Sequence, residues 1–77
     1  MNEGKYKSIF VETFGIGDTF PVNELKYRQF EKWDSIGHMM LCAAIEDAYD
    51  FHFTGDEILE FQCYEDGKTI LSRHGLY

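Results

Sequence analysis

One run in the chain places a nucleophile at the head of an apolar helix: Trp33-Asp34-Ser35-Ile36-Gly37-His38. Asp and Ser are preferred helix N-caps, because a side-chain oxygen accepts from an N–H of the first turn. Capping is therefore the first role this pair predicts. A hydroxyl in the same place is also a point where a group can be attached. Serine-hydrolase chemistry is a third reading, and the surrounding residues argue against it. Ser35-Ile36-Gly37 supplies half of a G-x-S-x-G elbow, but Lys32-Trp33-Asp34 supplies no first glycine. The elbow also belongs to an α/β sheet larger than 77 residues can build, with a positioned His and acid besides.

Two metal readings are weaker still. An EF-hand loop counted from Asp50 puts Gly55 correctly at its sixth position. Its third and fifth positions are then His52 and Thr54, and its twelfth is Phe61 where a Glu is needed. His38 and Cys42 stand at i and i+4, but no convincing third ligand accompanies them. No metal site is expected. His38, His52 and His74 read as polar or capping residues, and Cys42 and Cys63 as small apolar ones with no disulfide framework.

The elements that must hold Ser35 follow from periodicity. In helix II, over residues 35–50, Leu41, Ile45, Ala48 and Tyr49 share one face, while Ser35, Met39, Ala43 and Asp47 share another. Helix I, over residues 3–14, carries Tyr6, Phe10 and Phe14 at i, i+4 and i+8, and Gly15 and Gly17 end it. Residues 15–33 form a long connection containing Pro21 and a short turn near residues 23–27. Phe20, Leu25, Tyr27, Phe30 and Trp33 are its apolar anchors. Residues 50–54 alternate like a strand but are too short to pair alone. Thr54 and Glu57 instead make a capping box, with Phe53 and Ile58 at the staple positions. A short helix III then runs over residues 55–61. Helix IV spans residues 64–73 with Ile70 and Leu71 inward, and Gly67 weakens it by about 1 kcal/mol relative to Ala. The expected fold is all-α: a small four-helix bundle of three longer helices and one short one, in a single domain over residues 1–77.

Composition narrows the partners. The net charge is -7, which disfavours nucleic acid and anionic membrane surfaces and favours partners with basic patches. No apolar run approaches the roughly 20 residues of a membrane span. The start, MNEGKYKSIF, lacks the apolar core and cleavage site of a signal peptide, so a cytoplasmic location is expected, and the chain is expected to be a monomer.

Taken together, these residues resemble the acyl carrier proteins of fatty-acid, polyketide and related pathways. Asp34-Ser35-Ile36 stands for the family's Asp-Ser-Leu. Leu41, Ala44, Ile45, Glu46, Asp47 and Tyr49 follow the pattern L..ALEE.F, then Asp50 and Phe53, with Asp56-Glu57 opening helix III. The resemblance covers residues 5–74 in helix order and residues 33–61 in detail. It implies that Ser35 carries 4′-phosphopantetheine, transferred from coenzyme A by a separate Mg²⁺-dependent phosphopantetheinyl transferase, with Asp34 helping to position the serine. Acyl groups would ride on the terminal thiol as thioesters, and the carrier itself would not be an enzyme. Its partners would be an acyl-loading ligase or acyltransferase and condensing and other biosynthetic enzymes. Ile36, Met39, Glu46, Asp47, Asp50, Asp56, Glu57 and Glu60 would form the docking face, and Tyr49, Phe53 and Phe61 would line an acyl cavity. Where the family often has Gly before the Asp and an acid after the Ser, this chain has Lys32 and Gly37, and Gly55 lies where helix III usually has Pro. Those differences point toward carriers of specialised pathways. A carrier of aminoacyl groups such as D-alanine is an alternative reading. A second is an acidic helical interaction module that carries no cofactor.

Overall fold

In the computed structural model, which describes residues 2–17 and 19–77 (side chains from residue 4 onward), the apolar stripes become helices. These are α1 (Asn2–Phe14), α2 (Ser35–Tyr49), α3 (Gly55–Glu60) and α4 (Tyr64–Arg73), with a 3₁₀ turn at Val22–Glu24. The described residues contain no strand, so the class is all-α, as expected. Helix ends fall within a residue or so of the sequence reading, and the turn in the long connection begins at Val22 instead of Asn23.

Helix ends follow local chemistry. Gly15 adopts φ 63°, and the Ile16 N–H turns back to the Val11 carbonyl at 3.1 Å. At the end of α2, Asp50 takes a left-handed conformation with φ 55°, and its N–H caps the Glu46 carbonyl. The capping box of α3 forms as read: Glu57 N–H donates to Thr54 Oγ1 at 3.1 Å, and Thr54 N–H donates to Glu57 Oε1 at 3.0 Å.

All four helices and the long connection feed one core. Tyr6, Phe10, Trp33, Leu41, Ile45, Phe61, Tyr64, Ile70 and Leu71 are fully enclosed. Aromatic rings meet mostly edge to face, as between Phe10 and Tyr64 at 4.8 Å and Phe10 and Trp33 at 5.5 Å. The Tyr6 hydroxyl donates to the Tyr64 carbonyl at 2.7 Å and ties α1 to α4. Burial holds that phenol far above its ordinary range.

Gly67 has a role that helix propensity hides. A Cβ at this position would lie 1.9 Å from the Tyr6 hydroxyl oxygen and 2.9 Å from the Phe61 ring. Its missing side chain is what lets α4 close on Tyr6, so the local loss in propensity is offset by the packing it permits.

The long connection is tied down at both ends. Lys32 Nζ donates to the Phe14 carbonyl at 3.0 Å, placing a cation on the exposed carbonyls of the α1 C-terminus. Lys26 and Cys63 form an isolated antiparallel bridge, flanked by bonds from the Tyr27 N–H to the Gln62 carbonyl (2.8 Å) and from the Tyr64 N–H to the Leu25 carbonyl (3.3 Å). The connection thereby clamps the junction of α3 and α4. Arg28, at φ 69°, then reverses the chain, and its N–H donates to the Trp33 carbonyl at 2.9 Å. No helix among the described residues is long and apolar enough to cross a membrane.

Candidate functional site

Asp34 and Ser35 stand where the loop becomes α2. Asp34 is the N-cap, in an extended conformation, and its Oδ1 accepts from the Gly37 N–H at 2.8 Å. Ser35 is the first helical residue and is exposed to solvent. Both roles read from the sequence are therefore compatible: the aspartate caps, and the serine hydroxyl stands free of the core.

The glycine two residues on explains a departure from the expected pattern. A Cβ on Gly37 would lie 2.1 Å from the Lys32 carbonyl oxygen. That backbone oxygen sits on a loop fixed by the Arg28–Trp33 bond, so it has little freedom to yield. An acidic side chain at this position is excluded by the approach of the loop to the helix.

Beneath the serine lies a polar seam in an otherwise apolar interior. His38 is 6% exposed. The Trp33 indole N–H donates to His38 Nδ1 at 2.9 Å, and His38 Nε2 lies 2.8 Å from the Ile58 carbonyl. Because Nδ1 accepts, the proton must sit on Nε2, and the neutral ring donates to α3. His38, expected as a polar or capping residue, is a buried histidine with both nitrogens occupied. Cys42 Sγ lies 3.9 Å from the same Nε2, a weak contact with a nitrogen already directed at a carbonyl. Burial pushes the Cys42 thiol up to about 12, so at neutral pH it is a protonated apolar group. Among the described residues no cluster of His, Cys, Asp and Glu is arranged to hold a metal ion.

The acids expected at a docking face occupy different surroundings. Glu46, Asp47 and Asp50 line one surface hollow of about 290 Å³ with Ala43, Phe51 and His52. Glu46 is only half-exposed and also accepts from the Phe53 N–H at 2.8 Å, fixing the turn between α2 and α3. Asp56 is exposed at the start of α3. Glu60 is exposed but paired with Arg73, whose guanidinium is pushed above its ordinary range chiefly by that hydrogen bond. The expectation of an exposed Glu57 at a docking face is corrected, because this side chain is buried. It is 8% exposed, one oxygen serves the Thr54 cap, and His74 Nε2 lies 3.0 Å from the other. The Thr54 N–H foremost, then His74 and Arg73, hold its carboxyl below the usual carboxylate range against the opposing effect of burial.

The apolar residues expected at a docking face lie at the surface. Ile36 and Met39 are 73% and 55% exposed, so neither packs in the core. Met40 and Leu59, which the sequence did not single out, are as open, at 55% and 74%. Hydropathy periodicity does not separate them from core residues, because Met40 and Leu59 sit beside the inward positions Leu41 and Ile58.

Tyr49, Phe53 and Phe61 are all buried. Phe61 rests against Trp33, His38 and Phe53 at ring separations of 5.7, 5.3 and 5.8 Å. These rings fill the interior, and the surface hollows beside Phe20 and Pro21, beside Ala43 and Glu46, and beside Lys7 and Ser8 are lined by other residues.

Comparisons with protein-family models, curated proteins and solved structures returned no match.

Proposed function

We propose that the protein is an acyl carrier that bears 4′-phosphopantetheine on Ser35 and presents acyl thioesters to partner enzymes. In this reading the four helices act as a small bundle whose purpose is to hold one serine outward. The observation that carries it is the exposed Ser35 hydroxyl at the N-terminus of α2, next to the capping Asp34. The fit to the prosthetic group is chemical. A helix N-terminus offers N–H donors and partial positive charge to an attached phosphate. Asp34 is exposed as well, so a transferase-bound Mg²⁺ can reach its carboxylate while one oxygen caps the helix.

The carrier needs no catalytic groups of its own. When bound, the pantetheine arm supplies the thiol that holds the acyl group, and the tether raises the substrate's effective concentration at each partner. Ile36, Met39 and Met40 offer an apolar surface near the serine, and Glu46, Asp47 and Asp50 offer charge for basic partners farther along α2. The same apolar surface also suits an interaction module that carries no cofactor, which the test must separate.

Mass spectrometry after incubation with coenzyme A, Mg²⁺ and a broad-specificity phosphopantetheinyl transferase decides between them. One adduct, absent from Ser35→Ala, is the expected result. An unmodified wild-type chain, or an adduct that survives Ser35→Ala, rejects the carrier reading.

A further inference from the structure

Ser35 has a neighbour that the Asp-Ser motif does not contain. The Tyr27 hydroxyl lies 3.2 Å from Ser35 Oγ. That phenol is held in place from several directions. Its backbone N–H donates to the Gln62 carbonyl at 2.8 Å, next to the Lys26–Cys63 bridge. Its half-buried ring leans on the His38 ring at 4.9 Å. His38 is itself locked between the Trp33 indole and the Ile58 carbonyl. The phenol oxygen thus sits at the end of a rigid ring on a rigid support, whereas Ser35 is exposed and its χ1 has three staggered wells to choose from.

We propose that Tyr27 is a positioning residue for group transfer to Ser35, and that after transfer its hydroxyl becomes the hydrogen-bond donor to the new phosphodiester. The inference rests on the carrier reading of Ser35. Before transfer, either oxygen can donate to the other, and the contact selects one serine rotamer. In the transfer step Ser35 Oγ forms a bond to the β-phosphorus of coenzyme A. The bond from that phosphorus to the bridging oxygen of 3′,5′-ADP breaks, the leaving group keeps the electron pair, and the serine proton passes to a base on the transferase. Only one hydrogen then remains between the two side chains, and it belongs to Tyr27. The phenol must therefore donate, either to the esterified Oγ or to a non-bridging phosphoryl oxygen two bonds further out. The anionic oxygen is the stronger acceptor.

Tyr27→Phe removes the oxygen and keeps the ring that rests on His38. With coenzyme A and Mg²⁺, the transferase should modify this variant with kcat lowered about three- to tenfold and KM for the carrier unchanged, the range expected for one positioned hydrogen bond. The ³¹P resonance of the modified Tyr27→Phe protein should differ from that of the modified wild type. Thermal unfolding of the two unmodified proteins should coincide within about 2 °C, since little more than an exposed-edge hydroxyl is lost. Equal kcat with identical ³¹P spectra would overturn the proposal. So would a change confined to KM, which would make Tyr27 a contact for the transferase. A wild-type chain that is never modified removes the carrier reading first, and this inference with it.

Discussion

Helix α3 is fastened along two edges by opposite kinds of chemistry. On the α2 side, His38 is neutral and joins an indole N–H to a backbone carbonyl of α3, with no charge involved. On the α4 side, His74 meets the Glu57 carboxylate at 3.0 Å, with Arg73 3.8 Å from the same oxygen. The inner seam is buried and depends on direction: every hydrogen has one acceptor. The outer seam is partly solvated and depends on charge. A six-residue helix cannot hold itself together in water, so what fixes α3 is this pair of attachments and its capping box. The difference teaches that two histidines in one small protein can have the same structural task and respond differently to substitution.

Breaking the inner seam should have the largest effect. His38→Leu leaves the buried Trp33 indole N–H and the part-buried Ile58 carbonyl without their partner, at about 1–3 kcal/mol for the first and less for the second, so a loss of about 3 kcal/mol is expected in urea unfolding followed by circular dichroism. Trp33→Phe removes the donor and also leaves space where the larger ring of a fully enclosed indole was, so a loss of about 2–3 kcal/mol is expected, and the double variant should lose less than the sum.

Breaking the outer seam should matter less and should depend on pH. Glu57→Gln at pH 7 is expected to lower stability by about 1 kcal/mol, the ordinary magnitude for a compromised cap. The sign with pH follows from the carboxyl being held low in the folded protein. Its stabilisation is fully present above the ordinary value of 4.5 and is lost as pH falls through the lower, folded value. Wild type and Glu57→Gln should therefore converge in acid. If they stay parallel below pH 4.5, the ionic account of this edge is wrong. His74→Gln should have the smallest effect, about 0.5 kcal/mol or less, because this partner is half in solvent.

What the sequence revealed was what one element at a time can reveal. The Tyr6, Phe10 and Phe14 stripe located α1, the Thr54–Glu57 pair located the start of α3, and Asp34 located the cap of α2. What it hid depends on residues distant in the chain. His38 reads as polar until Ile58 is placed opposite its Nε2, 20 positions away. Gly67 reads as a weakness until Tyr6 is placed against it. Glu57 reads equally well as a surface acid or a cap, and only the approach of His74 shows that its second oxygen is in use too. Tyr27 reads as a loop anchor, because nothing in an isolated connection says that its hydroxyl ends beside Ser35. Periodicity reports which face is buried, but not which polar atom meets which.

The close pass of the Lys32 carbonyl over Gly37 also shapes the electrostatic profile of α2. Past its cap, the helix carries no carboxylate until Glu46 and Asp47, which at 1.5 Å per residue puts its anionic end about 17 Å from Ser35. Long-range attraction would therefore draw a cationic surface to the tail of the helix first. Contact at the serine would be left to methionine and isoleucine side chains, so ionic strength should alter how fast a partner arrives more than how well it fits there.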